Sequence, residues 1–307
     1  MKIVSLFSVI RGYNIPVIIL AQYLSAVFIL AKDQPALETL LDINLFLIVL
    51  ASSVTIASGY IINSFYDSKK DLINRPNKSK LDRLVSQKTK LTVYFSLNFL
   101  AAFLGLLVSW RAALFFSVYI FLIWFYSHKV KRYPIIGNLM STLMTIAPFF
   151  AIFLMYFKEI EGTSSYVVIF SHATFLFLLL SIRELIKDLE NILGDFTNNY
   201  QTIPVVYGEK VSKYIITVLC VLTVIPVYIL IELDDVGYMD IYFYCCFIVL
   251  IFFVIYLWKS KSKQQYLNLH NVLKILIVAG VFCIVLIEPS VLIHGKKLLI
   301  SKPSSLF

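Results

Sequence analysis

The stretch Asn44-Leu-Phe-Leu-Ile-Val-Leu-Ala-Ser-Ser-Val-Thr-Ile-Ala-Ser-Gly-Tyr-Ile-Ile-Asn63-Ser-Phe-Tyr-Asp67-Ser-Lys-Lys-Asp71 decides the fold. It begins as an apolar run of about 20 residues, the length a helix needs to cross the hydrocarbon core of a bilayer. It ends in an amide and two carboxylates. Continued as a helix, positions 63, 67 and 71 stack on one face at i, i+4 and i+8. A spanning helix is therefore predicted to place three polar oxygens at the membrane boundary.

The rest of the chain repeats the apolar part of this pattern. Of its 307 residues, 60% are hydrophobic and 15% charged, with a mean hydropathy of +0.85. A soluble domain carries about 25% charged residues, so the excess apolar surface must face lipid. Nine spans are predicted, over 14–31, 44–64, 91–109, 112–127, 136–157, 166–186, 214–231, 240–258 and 272–293. The expected fold is an all-α polytopic bundle in one domain, 1–307. Two pseudo-repeats, roughly 10–130 and 135–260, would be followed by a last helix. Segment 13–31 is long enough to span rather than to be clipped as a leader. Pro16, Pro148 and Pro226 fall within spans, where kinks are tolerated if neighbouring helices satisfy the freed carbonyls.

The net charge of +9 sits in particular loops, which argues for membrane topology and against nucleic acid as a partner. Loops after even-numbered spans hold Lys69, Lys70, Arg75, Lys78, Lys80, Arg83, Lys88 and Lys90, then Lys129, Lys131 and Arg132, then Lys187, Lys210 and Lys213, then Lys259, Lys261 and Lys263. Loops after odd-numbered spans hold Asp33, Glu38 and Asp42, then Glu159 and Glu161, then Glu232, Asp234, Asp235 and Asp240. The positive-inside rule puts the even loops in the cytoplasm. Lys296, Lys297 and Lys302 would lie outside and break the pattern. The expected location is an integral multi-pass membrane protein, in the inner membrane if the chain is bacterial, with its site open to the cytoplasm.

A second acidic helix end follows the sixth span: Arg183-Glu-Leu-Ile-Lys-Asp188-Leu-Glu190-Asn191-Ile-Leu-Gly-Asp195. Positions 188, 191 and 195 share a face at i, i+3 and i+7. One such end is usually a solvated face. Two, on the same side of the membrane in a chain poor in acids, point to a cation. Mg²⁺ binds one or two carboxylates together with substrate phosphates, and a metal-bridged diphosphate is a better leaving group.

Arg75 and Lys131 lie near these ends and suit a diphosphate. Arg83, Tyr126, Ser127 and Lys187 are further candidates, and Arg11 and Asn14 at the head of the first span either reach a polar cavity or anchor the helix. Lys78, Lys80, Lys88 and Lys90 read more simply as topology signals. His128, His172, His270 and His294 are scattered, and the four cysteines sit in apolar runs and read as small core residues. No Gly-rich phosphate loop, nucleophile elbow or dinucleotide fingerprint is present.

Taken together, these motifs resemble the UbiA superfamily of intramembrane prenyltransferases over about residues 8–293. The first family motif, Asn-Asp-x-x-Asp-x-x-x-Asp, is matched by Asn63, Asp67 and Asp71, with Ser64 in place of an Asp. Asn74-Arg75-Pro76 and Arg83 fit the segment after it, and Tyr126, Ser127, Lys131, Arg132, Gly137 and Asn138 fit the segment after helix four. The second motif is matched by Arg183, Glu184, Lys187, Asp188, Glu190, Gly194 and Asp195, then Thr202, Pro204, Tyr207 and Gly208, with Asn191 where an Asp is usual.

The resemblance implies a nine-helix bundle around a central cavity, Mg²⁺, a polyprenyl diphosphate donor and a lipophilic acceptor. It implies Asp67, Asp71, Asp188 and Asp195 as catalytic metal ligands assisted by Glu190 and Asn191, with Asn63, Arg75, Arg83, Tyr126, Ser127, Lys131, Lys187, Arg11 and Asn14 on the substrates. In motif it is closest to enzymes transferring a geranylgeranyl group to geranylgeranylglyceryl phosphate. Aromatic acceptors of quinone biosynthesis (hydroxybenzoate, dihydroxynaphthoate or homogentisate types) are the alternative. A carboxylate-coupled transporter would instead place its acids near the bilayer midplane, on broken helices.

Overall fold

The computed structural model describes residues 2–32, 34–158, 160, 163–233 and 236–293. Among them are nine helices long and apolar enough to cross a membrane: α1 (Gly12–Leu30), α2 (Ile43–Tyr66), α3 (Gln87–Val108), α4 (Trp110–His128), α5 (Pro134–Tyr156), α6 (Ser165–Glu190), α7 (Ile203–Glu232), α8 (Met239–Lys259) and α9 (Lys263–Ile287). The basic tail with Lys296, Lys297 and Lys302 lies outside the described residues, as do His294, Asp33, Glu159, Glu161, Asp234 and Asp235.

Two spans occupy the centre. The most buried are α2 and α6; α2 packs on α1, α3, α4 and α5, and α6 on α5, α7 and α9. Small side chains let α2 be approached from all sides: Ala51, Ser52, Ser53, Thr55, Ala57, Ser58 and Gly59 are all buried. In a bilayer, helices associate through such close backbone contact rather than through hydrophobicity. Some of their hydroxyls are satisfied within the helix, as Ser53 Oγ donates to Val49 O at 2.8 Å and Thr55 Oγ1 to Ala51 O at 2.8 Å. Peripheral helices turn large apolar side chains outward; on α3, Phe95, Phe99, Phe103 and Leu106 form an exposed stripe at roughly helical spacing. Because α2 and α6 are central, the polar residues that end them meet in the middle of the bundle.

Proline inside α5 is accommodated as membrane physics requires. Pro148 leaves the carbonyl of Met144 without its helical donor, and the Tyr119 hydroxyl from α4 donates to it at 2.8 Å. The side-chain amide of Gln22, on α1, donates to Pro148 O at 2.9 Å.

Two spans differ clearly from the hydropathy pattern in their boundaries. The seventh helix starts at Ile203 rather than 214, and the ninth at Lys263 rather than 272, ending at Ile287. Both carry polar first turns that an apolar window discards. Thr202 and Pro204 open α7, and a capping box between Ser262 and Gln265 opens α9. Gly208 explains the rest of the discrepancy in α7: its φ of +84° breaks the helix locally, a conformation open to glycine at little cost. The cysteines also divide. Cys220 and Cys246 are buried as expected, but Cys245 is exposed on the outer face of α8, and Cys283 is half-buried.

Candidate active site

The first acidic end keeps its helical register past the end of α2. Asp67 caps that helix, its N–H donating to Asn63 O at 2.9 Å, and the Asp71 N–H donates to Asp67 O at 2.8 Å. A short helix, Ser68–Asn74, follows. Asn63, Asp67 and Asp71 therefore face one cavity. The second end behaves alike: Asn191 interrupts the helix, the Asp195 N–H donates to Asn191 O at 3.0 Å, and Ile192–Thr197 continues as a short helix. Asp188 and Asn191 line the same cavity. The two short helices touch where Gly194 lies against Asn74. A Cβ at 194 would sit 2.2 Å from Asn74 Oδ1, so any larger residue would push the Asn74 amide aside.

Cations knit the two ends together. Lys70 Nζ lies 2.5 Å from Asp195 Oδ1, which is fully buried, and 4.4 Å from the centre of the Tyr200 ring. The Tyr200 hydroxyl donates to Asp67 Oδ1 at 2.9 Å. Lys131 Nζ donates to that same oxygen at 2.6 Å and to Asn63 Oδ1 at 3.2 Å. Burial would push the Asp67 carboxyl up, but the charges of Lys131 and Lys70 and the hydrogen bonds from Lys131 and Tyr200 outweigh it and hold the group below the usual carboxylate range. Asp71 moves the other way, raised by burial and by the neighbouring Asp67 charge. Lys70 is buried too, yet Asp195 and Asp67 keep its ammonium charged and shift it above the ordinary lysine value.

The cavity, about 290 Å³, gathers most of the expected residues: Arg11, Asn14, Arg75, Tyr126, Ser127, Lys131 and Lys187 line it with the oxygens already named. Asn14 donates to the Tyr60 hydroxyl at 3.3 Å, and the Arg11 guanidinium lies 5.0 Å from the Tyr60 ring centre. Lys187 is paired with Glu184. Asn138 donates to Asp188 Oδ2 at 2.8 Å.

Three expected residues lie elsewhere. Arg83 is exposed beyond the short helix Pro76–Asp82. Asp195 is sealed beneath Lys70. Glu190 turns toward α9, where its Oε2 is 3.0 Å from His270 Nδ1 and its Oε1 is 3.9 Å from Arg75. Glu190 lies two residues beyond Asp188, about 200° around a helix, which aims it at a neighbouring helix instead of the cavity. Ser64 likewise faces away, toward Lys90 Nζ at 3.4 Å.

Tyr200, Lys70, His270 and Lys274 carry no sequence signal that separates them from ordinary residues, yet all four contribute to the site. Only Asn199, with a φ of +57°, marks the turn that brings Tyr200 back.

The UbiA prenyltransferase family model matches residues 19–286. The chain belongs to the UbiA prenyltransferase family. Among curated proteins, the digeranylgeranylglyceryl phosphate synthase of Methanobrevibacter smithii is 30% identical over 212 residues, covering 67% of this chain and 70% of that protein. The synthase of the same name from Thermococcus sibiricus is 30% identical over 226 residues, covering 73% and 76%. Among solved structures, a digeranylgeranylglyceryl phosphate synthase superposes with a TM-score of 0.68 at 23% identity, covering 92% of this chain and 97% of that one. A UbiA homologue from Archaeoglobus fulgidus bound to DMAPP and Mg²⁺ superposes with a TM-score of 0.66 at 14% identity, covering 92% and 99%.

For a UbiA prenyltransferase, the donor set in this cavity is chemically apt. Asn63, Asp67, Asp71, Asp188 and Asn191 offer only hard oxygens, as Mg²⁺ prefers. Asn191 Oδ1 is buried and has no hydrogen-bond partner, an acceptor left open inside the site. Among the described residues no three acids or imidazoles converge tightly enough to hold an ion alone. That suits a metal completed by substrate phosphate and water.

Proposed function

We propose that this UbiA prenyltransferase is Mg²⁺-dependent and transfers a geranylgeranyl-type chain from its diphosphate to the hydroxyl of geranylgeranylglyceryl phosphate. The observation that carries the proposal is the convergence of Asp67, Asp71, Asp188 and Asn191, from two distant stretches, around Lys131 in one cavity. The acceptor follows from the curated relatives named digeranylgeranylglyceryl phosphate synthase.

Asn63, Asp67 and Asp71 would hold metal from one side, and Asp188 and Asn191 from the other. Bound Mg²⁺ supplies positive charge that stabilises the departing diphosphate. Lys131 holds phosphate oxygens directly, since its ammonium already seeks an anion at that place, and Arg75 adds a fork-shaped donor at the rim. Ile18, Ile56, Ile123 and Met144 form the apolar part of the wall and shelter the first isoprene units from water. Tyr60, Tyr119 and Tyr126 line the same region and present ring faces that favour developing positive charge at the allylic carbon. The C1–O bond to diphosphate breaks as a bond from the acceptor oxygen to C1 forms, and the hydroxyl proton is released. The basic loops beside the cavity support a mouth on the cytoplasmic side.

The test is turnover of labelled geranylgeranyl diphosphate with geranylgeranylglyceryl phosphate by purified protein in nanodiscs. Product should form with Mg²⁺, vanish with EDTA, and fall at least 10³-fold in Asp67→Ala. Unchanged turnover under either treatment refutes the metal-assisted reaction. Activity confined to an aromatic acceptor instead refutes the acceptor assignment.

A further inference from the structure

Arg183 and Lys274 are cavity cations to which the proposed diphosphate site gives no role. Arg183 lies seven residues before the end of α6 at Glu190, roughly 10 Å inside the span, and Lys274 eleven residues past the start of α9 at Lys263, roughly 16 Å inside. Charge at such depth is costly and marks a functional pathway or site. The helices α6 and α9 pack against each other, so the two side chains share one wall.

Neither cation has a carboxylate within ion-pair distance among the described residues, because the nearby acids are committed elsewhere. Glu190 is taken by His270 at 3.0 Å and faces Arg75 at 3.9 Å. Glu184 is held by Lys187, and Asp188 accepts from Asn138. Lys274 shares its surroundings with three cations, Arg183, Arg75 and Arg11, against one acid, Glu190. Two buried nitrogens stand open on this wall. Arg183 Nε has no hydrogen-bond partner; neither has Nε2 of His270, whose side chain is 3% exposed. Cations that outnumber the free carboxylates inside a membrane protein call for an anionic ligand.

We infer that Arg183 and Lys274 form a second anion subsite, separate from the diphosphate site, that binds the phosphate monoester of the acceptor. Two uncompensated monocations balance a phosphate dianion and over-compensate a carboxylate. The guanidinium fork suits phosphate oxygens, and the ammonium adds a point charge. His270 adds a finer feature. Its Nδ1–H donates to Glu190, so Nε2 presents a lone pair toward the cavity and accepts a hydrogen bond from the hydroxyl near that phosphate. The assignment of this phosphate to the acceptor rests on the prenyl-transfer function proposed above.

Binding of labelled geranylgeranylglyceryl phosphate and of geranylgeranylglycerol, its dephosphorylated counterpart, to the full chain in nanodiscs tests this without turnover. The wild type should bind the phosphorylated lipid at least 30-fold more tightly. In Lys274→Gln and in Arg183→Gln that ratio should fall below about threefold, and Lys274→Arg should restore most of it. Affinity for geranylgeranyl thiodiphosphate with Mg²⁺ should stay within twofold of wild type in all three. An unchanged phosphate ratio in the Gln variants, or an equal loss of donor-analogue binding, overturns the subsite. So does a wild type that binds hydroxybenzoate through these residues in preference to the phosphate lipid. Failure of the wild type to bind the donor analogue would strike the proposed function instead, and the phosphate ratio would still decide the subsite.

Discussion

The two acidic helix ends resemble each other in sequence and differ in what surrounds them. At the first, Asn63, Asp67 and Asp71 all face the cavity, and the Lys131 ammonium and the Tyr200 hydroxyl reach Asp67 from other parts of the chain. At the second, only Asp188 and Asn191 face it; Glu190 is bonded to α9 and Asp195 is buried under Lys70. On the function proposed above, the first end is a ligand-binding ladder. The second would then be half ligand site and half fastening, its fastener a lysine borrowed from the first. Paired acidic motifs are thus not two copies of one metal site: one acid of the second joins the two halves of the bundle.

That asymmetry can be broken by removing acids one at a time. The largest effect is expected at the cavity-facing acids. Asp71→Ala and Asp188→Ala should each lower turnover by roughly 10³-fold, several kcal/mol of lost charge stabilisation, with the thermal midpoint unchanged or raised. Equal activity in either variant would remove that residue from the site. Asp195→Asn should act on stability first. It strands the Lys70 ammonium in a buried place, at a cost on the order of 3 kcal/mol, read as a lower unfolding midpoint in detergent. The double variant Lys70→Met with Asp195→Leu should recover most of the loss, because an apolar pair replaces a buried ionic one. If Asp195→Asn kept its midpoint and lost metal response instead, the fastening role would be wrong.

A subtler test concerns what tunes Asp67. Tyr200→Phe removes one donor from a buried carboxylate, worth about 1.5 kcal/mol. The Mg²⁺ concentration for half-maximal turnover should change by about tenfold or less, while the helix content stays intact. No change would show that the two lysines, Lys131 and Lys70, set the state of Asp67 without the tyrosine.

The nine-helix frame was legible in the sequence because apolar runs of spanning length have few other uses, and the acidic ends were legible because helical spacing fixes which residues share a face. That spacing placed Asn63, Asp67 and Asp71 correctly on a common side. It failed for Asp195, since the pattern says which residues share a face but not which neighbour that face meets; Glu190, named by the resemblance alone, was never on that face. Lys70 shows a second limit. In a loop between spans a lysine reads as a topology signal whether it is solvated or buried against a carboxylate, so only packing distinguishes Lys70, on Asp195, from the exposed Lys88. Lys274 was hidden by the opposite cause, a single charge within a run so apolar that the window averaged it away. Tyr200 could not be chosen among nineteen tyrosines without the turn at Asn199.

The smallest predicted effects separate the two places where this chain lacks an acid that the family motifs carry. Asn191 lines the cavity with an open oxygen, so Asn191→Asp adds charge where the metal would bind, and the Mg²⁺ concentration for half-maximal turnover should fall several-fold. Ser64 points out of the cavity at Lys90, which is only 2% exposed and 3.4 Å away. Ser64→Asp would therefore hand Lys90 a counter-ion rather than give the metal a ligand. Its expected signature is a stability gain of about 1 kcal/mol or less, since desolvation offsets much of a buried pair's attraction, with the Mg²⁺ response unchanged within twofold. A drop in the Mg²⁺ requirement comparable to that of Asn191→Asp would mean that the side chain at 64 swings into the cavity once it is charged, and the first helix end would then hold one more ligand position than its present geometry shows.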